Sequence, residues 1–149
     1  MSLLIIVLAA GKGSRMVSTK PKVLHEVGNY PMLFHILDTV NTFKDSLINI
    51  VISKSFLDYK KIVNSKFNKV TFSIQNKQNG TADAVKSALD SIKGKLYENT
   101  LILCGDTPLI SKTTLEKCLK KFYTSKLDLC VLSMKPNNKN NTYGKLKFV

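Results

Sequence analysis

The run LLIIVL at Leu3 to Leu8 constrains this chain more than any other feature. It is apolar at every position, which suits a strand buried on both faces, as in a parallel sheet flanked by helices. The run stops abruptly at AAGKGSR. In open α/β sheets, ligands sit outside the carboxyl ends of the strands, so a glycine-rich cationic loop there points to an anionic ligand.

The rest of the chain repeats the alternation that such a strand requires. Pro31 fits the first position of a helix whose Leu33, Ile36, Leu37 and Val40 form an apolar stripe at helical spacing. Asn49 to Ile52 reads as a strand, Phe56, Tyr59 and Val63 as a weaker helical stripe, and Val70 to Ile74 as another strand. Thr81 is positioned to cap a helix carrying Val85, Ala88, Leu89 and Ile92, and Thr100 to Cys104 resumes the sheet. A helix capped by Ser111 carries Leu115, Cys118, Leu119 and Phe122, and Leu127 to Met134 reads as a further strand. The polar stretch KPNNKNNTYGK follows as a turn, and LKFV as the start of one more strand. Strand, helix, strand, helix in this order predicts an α/β fold with three layers and a mainly parallel sheet.

At 149 residues the expectation is a single domain, burying roughly two-thirds of its unfolded surface. No stretch reaches the ~18 apolar residues of a membrane span, and the first strand lacks the basic lead of a signal peptide, so a cytoplasmic protein with no membrane partner is expected. Cys104, Cys118 and Cys130 lie in apolar contexts without metal-ligand spacing and read as core thiols. The net charge of +13 raises nucleic acid as a partner. Its lysines are scattered over nearly every helix and loop, in a chain also rich in Asn and Ile, so the distribution argues for a solvated surface instead. Among the 23 cationic residues Arg15 is the one arginine, and it stands in the glycine loop, where a planar fork of donors can grip two phosphate oxygens.

Three stretches can carry chemistry. In GKGSR followed by KPKVLHEVG, Gly11 and Gly13 let backbone N–H groups face phosphate oxygens, while Lys12, Arg15, Lys20 and Lys22 add charge. The pattern is neither GxxxxGK[ST] nor GxGxxG, and a generic solvated loop is the competing reading. In LILCGDTPLI an apolar strand delivers Asp106, either a Mg²⁺ ligand completed by water and phosphate or an aspartate of the Thr107-Pro108 turn. In IQNKQNGTADAV, Gln75 ends a strand and Gly80-Thr81 opens a helix; a glutamine amide can pair with a base edge, and a glycine admits its plane. Asp83 reads as a dipole-favourable residue of the first helical turn, and His25 and His35 as structural histidines.

Taken together, LAAGKGSRM with PKVLHEVGNYPML, QNKQNGTADAV, LILCGDTPLI and TYGKLKFV resemble the uridylyltransferase domain of bacterial bifunctional N-acetylglucosamine-1-phosphate uridylyltransferase/glucosamine-1-phosphate acetyltransferase. The resemblance implies the Rossmann-like fold of nucleotide-diphospho-sugar transferases, incomplete at the C-terminus. It also implies attack by a sugar-1-phosphate on the α-phosphate of UTP, assisted by Mg²⁺. Carried over, it assigns Leu8, Ala9, Ala10, Gly11, Gly13, Gln75, Gly80 and Thr81 to the nucleotide. Arg15 and Lys22 become the catalytic cations, Lys22 also touching the nucleotide, and Asp106 the metal ligand. Cys104, Gly105 and Gly144 would line the sugar pocket.

Cys104 stands where the family often has Tyr, and Asp83 where it often has His. The family's domain also continues beyond the Tyr143-Gly144 segment and carries an acetyltransferase β-helix, for which no counterpart is expected here. The expectation is therefore weak turnover of UTP and N-acetylglucosamine-1-phosphate, with self-association or a complementing chain as partner. The competing expectation is a non-catalytic nucleotide-binding relic or one half of a split enzyme.

Overall fold

A computed structural model describes residues 2–93 and 97–134. The chain forms two compact units, Met1–Lys112 and Thr113–Val149. The first contains a parallel sheet of β1 (Leu3–Leu8), β4 (Ser46–Ile52), β5 (Val70–Ile74) and β6 (Asn99–Cys104), in the order β5-β4-β1-β6. Leu8 lies opposite Val51 on one side and Cys104 on the other, so β1 is central, β6 ends level with it and β4 runs one residue further.

Burial on both faces explains why LLIIVL lacks alternation. Leu4 and Ile6 pack with Ala10, Val51, Ala84 and Ala88, the last two from α3 (Thr81–Ser91). Leu3, Ile5 and Val7 point the other way and are also buried, as a strand's side chains alternate between faces. The second cover is supplied by α1 (Met32–Val40), whose Leu33, Ile36, Leu37 and Val40 are fully buried, and by α2 (Lys60–Lys66) with Val63. The result is a three-layer α/β unit. One polar knot lies within it: Asn49 Nδ2 donates to Thr71 Oγ1 at 3.0 Å, and Asn49 Oδ1 accepts from Ser73 Oγ at 2.9 Å. These partners make burial of the amide tolerable.

The structure alters several local expectations. Pro31 is not the first helical residue. It pairs with Glu26 in a small hairpin of β2 (Glu26–Val27) and β3 (Tyr30–Pro31), and that extended backbone delays α1 to Met32. Gly28 and Asn29, with φ of 62° and 59°, make the two-residue turn that a hairpin's twist favours. Gly80, not Thr81, caps α3, and its φ of 101° suits glycine. Ala84 and Ala88 face the sheet, which turns Leu89 out to 47 % exposure.

In the second unit α4 (Lys112–Thr124) buries Leu115. The stretch 127–134 is not a strand: Leu129, Val131, Leu132 and Met134 are all exposed, without ladder hydrogen bonds among the described residues to hold them extended. The cysteines are not core thiols either. Cys104 is exposed, and Cys118 and Cys130 are half-buried with their sulfurs 3.6 Å apart. Cys104 alternates with Leu103 along β6, an edge strand with less cover, where Ile102 is also exposed. The turn at 135–145, Gly144 within it, and the strand at 146–149 fall outside the described residues. Among the described residues, no helix is long and apolar enough to cross a membrane.

Candidate functional site

The strand order reverses at β1: the chain moves outward through β4 and β5, then returns to place β6 on the other side. Such a switch point opens a crevice at the carboxyl ends of the strands. The ladder carries the loops into it. Ala9 N–H donates to Val51 carbonyl at 2.8 Å, and Gly105 N–H donates to Leu8 carbonyl at 2.9 Å. A side chain at Gly105 would put its Cβ 2.9 Å from that Leu8 oxygen and 3.2 Å from Val23 Cγ1, so glycine is what allows β6 to lie this close.

The crevice encloses a cavity of about 340 Å³. Leu8, Ala10, Gly11, Lys22, Gln75, Gly80, Thr81, Cys104 and Asp106 line it, residues drawn from four separate stretches of sequence. Ala9, Gly13, Arg15 and Gly105 are not in its lining. Ala9 is buried in the ladder, and Gly105 is buried beneath the site. Gly13 takes φ 57° and passes directly over Lys22, where a Cβ would meet Lys22 Cβ at 2.9 Å. Arg15 lies exposed on the 3₁₀ turn Ser14–Met16, which runs between left-handed residues at Gly13 and Val17. The loop's path therefore brings Lys22 to the crevice and leaves Arg15 in solvent.

Lys22 Nζ and Asp106 Oδ2 form an ion pair at 2.5 Å, both side chains about one-third exposed, at 38 % and 35 %. Asp106 thus faces the crevice and does not cap its own turn; there, Thr107 donates both its N–H and its Oγ1–H to Cys104 carbonyl. A cation and a carboxylate paired at the mouth of a cavity can exchange partners with an incoming phosphate and a metal ion. Cys104 differs in character. Although the residue as a whole is exposed, partial desolvation of its sulfur and then the Asp106 carboxylate push the thiol up, against the pull of Lys22, so it stays protonated near neutrality.

On the opposite wall, Gln75 continues the β5 ladder by donating its N–H to Ile52 carbonyl at 2.9 Å. Its Nε2 donates to Gly80 carbonyl at 3.0 Å and to Asp83 Oδ2 at 2.7 Å. Asp83 accordingly does more than favour the helix dipole. Lys12, expected as a charge of the glycine loop, is in the lining too, and the structure adds residues that the sequence reading passed over: Val23, Ala84 and Gln78, whose Nε2 donates to Ala10 carbonyl and ties the two loops together. The signal for Gln78 was its place in QNKQNG, one loop with Gln75. His25 and His35 are structural, each with Nε2 on a backbone carbonyl, of Lys20 and Val27 respectively.

Among known proteins, residues 5–141 match the family described as MobA-like NTP transferase domain. The Bifunctional protein GlmU of Buchnera aphidicola subsp. Baizongia pistaciae is 37 % identical over 142 residues, which is 95 % of this chain and 30 % of that protein. The chain thus spans about a third of the length of that curated relative. Solved structures share the fold. A putative glucose-1-phosphate thymidylyltransferase from Bacillus anthracis, in complex with a sucrose, superposes with a TM-score of 0.67 at 23 % identity, over 84 % of this chain and 52 % of that one. Rv0371C of Mycobacterium tuberculosis H37Rv, in complex with manganese, does so with 0.61 at 15 % identity, over 81 % and 59 %. The resemblance drawn from the loop signature therefore holds. Because the family match runs through nearly the whole chain and not through one motif, the chain belongs to the MobA-like NTP transferase domain family.

Proposed function

We propose that the chain is a sugar-1-phosphate nucleotidyltransferase acting on UTP and N-acetylglucosamine-1-phosphate. The observation that carries this reading is the convergence of Gly11, Lys22, Gln75, Gly80 and Asp106 on one cavity at the switch point of the sheet. The choice of the uridine nucleotide and the amino-sugar phosphate among substrates of this fold rests on the motif resemblance, and a relative named Bifunctional protein GlmU supports it.

In the reaction, a phosphate oxygen of the sugar-1-phosphate bonds to the α-phosphorus of UTP, the α–β bridge breaks, and pyrophosphate leaves. Such transfer depends on positioning and on stabilising charge. Lys22, once its Asp106 partner is engaged elsewhere, holds the triphosphate oxygens. Gly11 leaves open space at the turn, since a Cβ there would meet nothing within 4 Å. Gln75 and Gly80 take the base. Arg15, exposed in this structure, reaches the triphosphate only if the 11–17 loop folds inward.

The donor set fits Mg²⁺ in a limited way. Asp106 offers one hard oxygen ligand at the cavity, and no group of three or more His, Cys, Asp or Glu exists among the described residues. Phosphate oxygens and water would complete the shell, as is common for this ion. When bound, the ion supplies neutralisation of phosphate charge. A neighbour of the same fold in complex with manganese is consistent with a divalent ion.

The test is pyrophosphate release from UTP, N-acetylglucosamine-1-phosphate and Mg²⁺. Asp106→Ala should lower the rate about a hundredfold or more, as loss of a positioned electrostatic group does. Release unaffected by that substitution would overturn the reading. UTP binding without release would leave the nucleotide site standing and remove the reaction.

A further inference from the structure

We propose that Asp83 is a positioning residue which, through Gln75, fixes the hydrogen-bonding edge that the crevice presents to a nucleobase. The inference rests on the nucleotide reading above and deepens it. Gln75 is only 5 % exposed, and its backbone is pinned to β4 through Ile52. Its side-chain amide meets Gly80 carbonyl at 3.0 Å and Asp83 Oδ2 at 2.7 Å. Both partners are acceptors without a proton to give. The end of the amide facing them must therefore be the NH₂, however the two ends are drawn.

Both protons of that NH₂ are then used inside the protein. A base entering the crevice that Gln75 lines meets what is left, the carbonyl Oε1, an acceptor with no donor beside it. Turning the amide over would set Oε1 against a carbonyl and a carboxylate at once. Gly80, at φ 101°, holds its carbonyl in place at the start of α3, and Asp83 sits one turn into the same helix. The helix start thus acts as a template for the amide. Asp83 contributes the charged member of the pair, and hydrogen bonds to charged groups are the stronger ones. The crevice should consequently require an N–H on the base edge, as at N3 of uracil, and reject a pyrimidine that offers only acceptors.

The experiment titrates the full chain, with Mg²⁺, against UTP and against the triphosphate of the pyrimidin-2-one riboside. The latter has the same ring, with O2 and N3 acceptors and no edge N–H. Wild type should favour UTP by about tenfold or more, the scale of one hydrogen bond left unpaired on a buried partner. Asp83→Ala and Asp83→Leu remove the charged acceptor and leave Gly80 carbonyl alone to oppose turning of the amide, so the ratio should narrow about fivefold and the pyrimidinone triphosphate should bind more tightly than it does to wild type. Asp83→Asn keeps an oxygen acceptor and should retain the wild-type ratio. A gain in affinity for the poorer ligand is not what a merely structural role produces. Equal affinities in wild type would overturn the inference without touching the nucleotide reading. So would parallel weakening of both ligands in the alanine and leucine variants. Failure of every nucleoside triphosphate to bind would overturn that reading and the inference with it.

Discussion

Two stretches of this chain have the composition of strands, and only one became one. Leu3–Leu8 is the central strand of the sheet and is buried along nearly its whole length. Residues 127–134, LDLCVLSM, mix four aliphatic side chains and a methionine with other residues, yet Leu129, Val131, Leu132 and Met134 are all more than half exposed and no ladder forms among the described residues. The difference teaches that apolar composition nominates a strand without making one. Partners for its N–H and C=O groups on both sides, and a helix over each face, are what hold β1 extended.

The contrast can be broken most sharply by charge. Ile6→Asp puts a carboxylate where the native side chain is fully buried, and should cost about 4 kcal/mol or more, enough to unfold the sheet unit in a urea titration. Leu132→Asp, on the other stretch, should change the midpoint by no more than about 0.5 kcal/mol. If both variants unfold alike, residues 127–134 are as structural as β1 and the comparison fails.

A smaller effect sharpens it at the strand ends. Gly105→Ala forces a Cβ against Leu8 carbonyl and should destabilise by about 1–3 kcal/mol, with nucleotide binding falling alongside, because the same ladder that builds the core shapes the crevice. Denaturation and titration of one preparation would show whether the two losses move together.

The site loop should respond in the opposite direction. Val17 adopts φ 44° at 96 % exposure, a left-handed conformation that a β-branched residue resists, with no packing to lose. Val17→Gly should raise stability by about 0.5–1 kcal/mol, the backbone strain relieved less the extra freedom glycine has when unfolded. An unchanged or lowered melting temperature would show that the loop carries no strain.

The mildest effect is a pH dependence at the carboxyl end of β6. The folded protein holds the Cys104 thiol above its ordinary value of 9.0, chiefly by partial desolvation of the sulfur. The folded state then binds the proton more tightly than the unfolded one, so this contribution is complete below pH 9 and is lost as pH rises through the folded value. Cys104→Ala should flatten the alkaline limb of the stability curve relative to wild type.

Periodicity carried much of the fold. LLIIVL, the stripe of α1 and the strands around Ile50 and Phe72 are elements whose partners are all of one kind, so pattern and outcome coincide. The hairpin at Glu26 to Pro31 was legible in its Gly28-Asn29 pair, and was masked by the stronger signal of Pro31 as a helix starter. Leu89 was misplaced because hydropathy ranks leucine above alanine, whereas α3 meets the sheet through the small Ala84 and Ala88.

What the sequence determined by itself was the order of the sheet strands and the helices between them, and the identity of the groups at the strand ends, since both follow from local periodicity and from where apolar runs give way to glycine and charge. Tertiary structure alone decided how those groups were paired. Lys22 and Asp106 are 84 residues apart, and only the adjacency of β1 and β6 makes them an ion pair. Gln75 was visible as an amide at a strand end. Which of its two ends is bound inside the protein depended on Gly80 and Asp83 converging on it from the next helix, a matter of hydrogen-bond geometry that no residue's identity encodes.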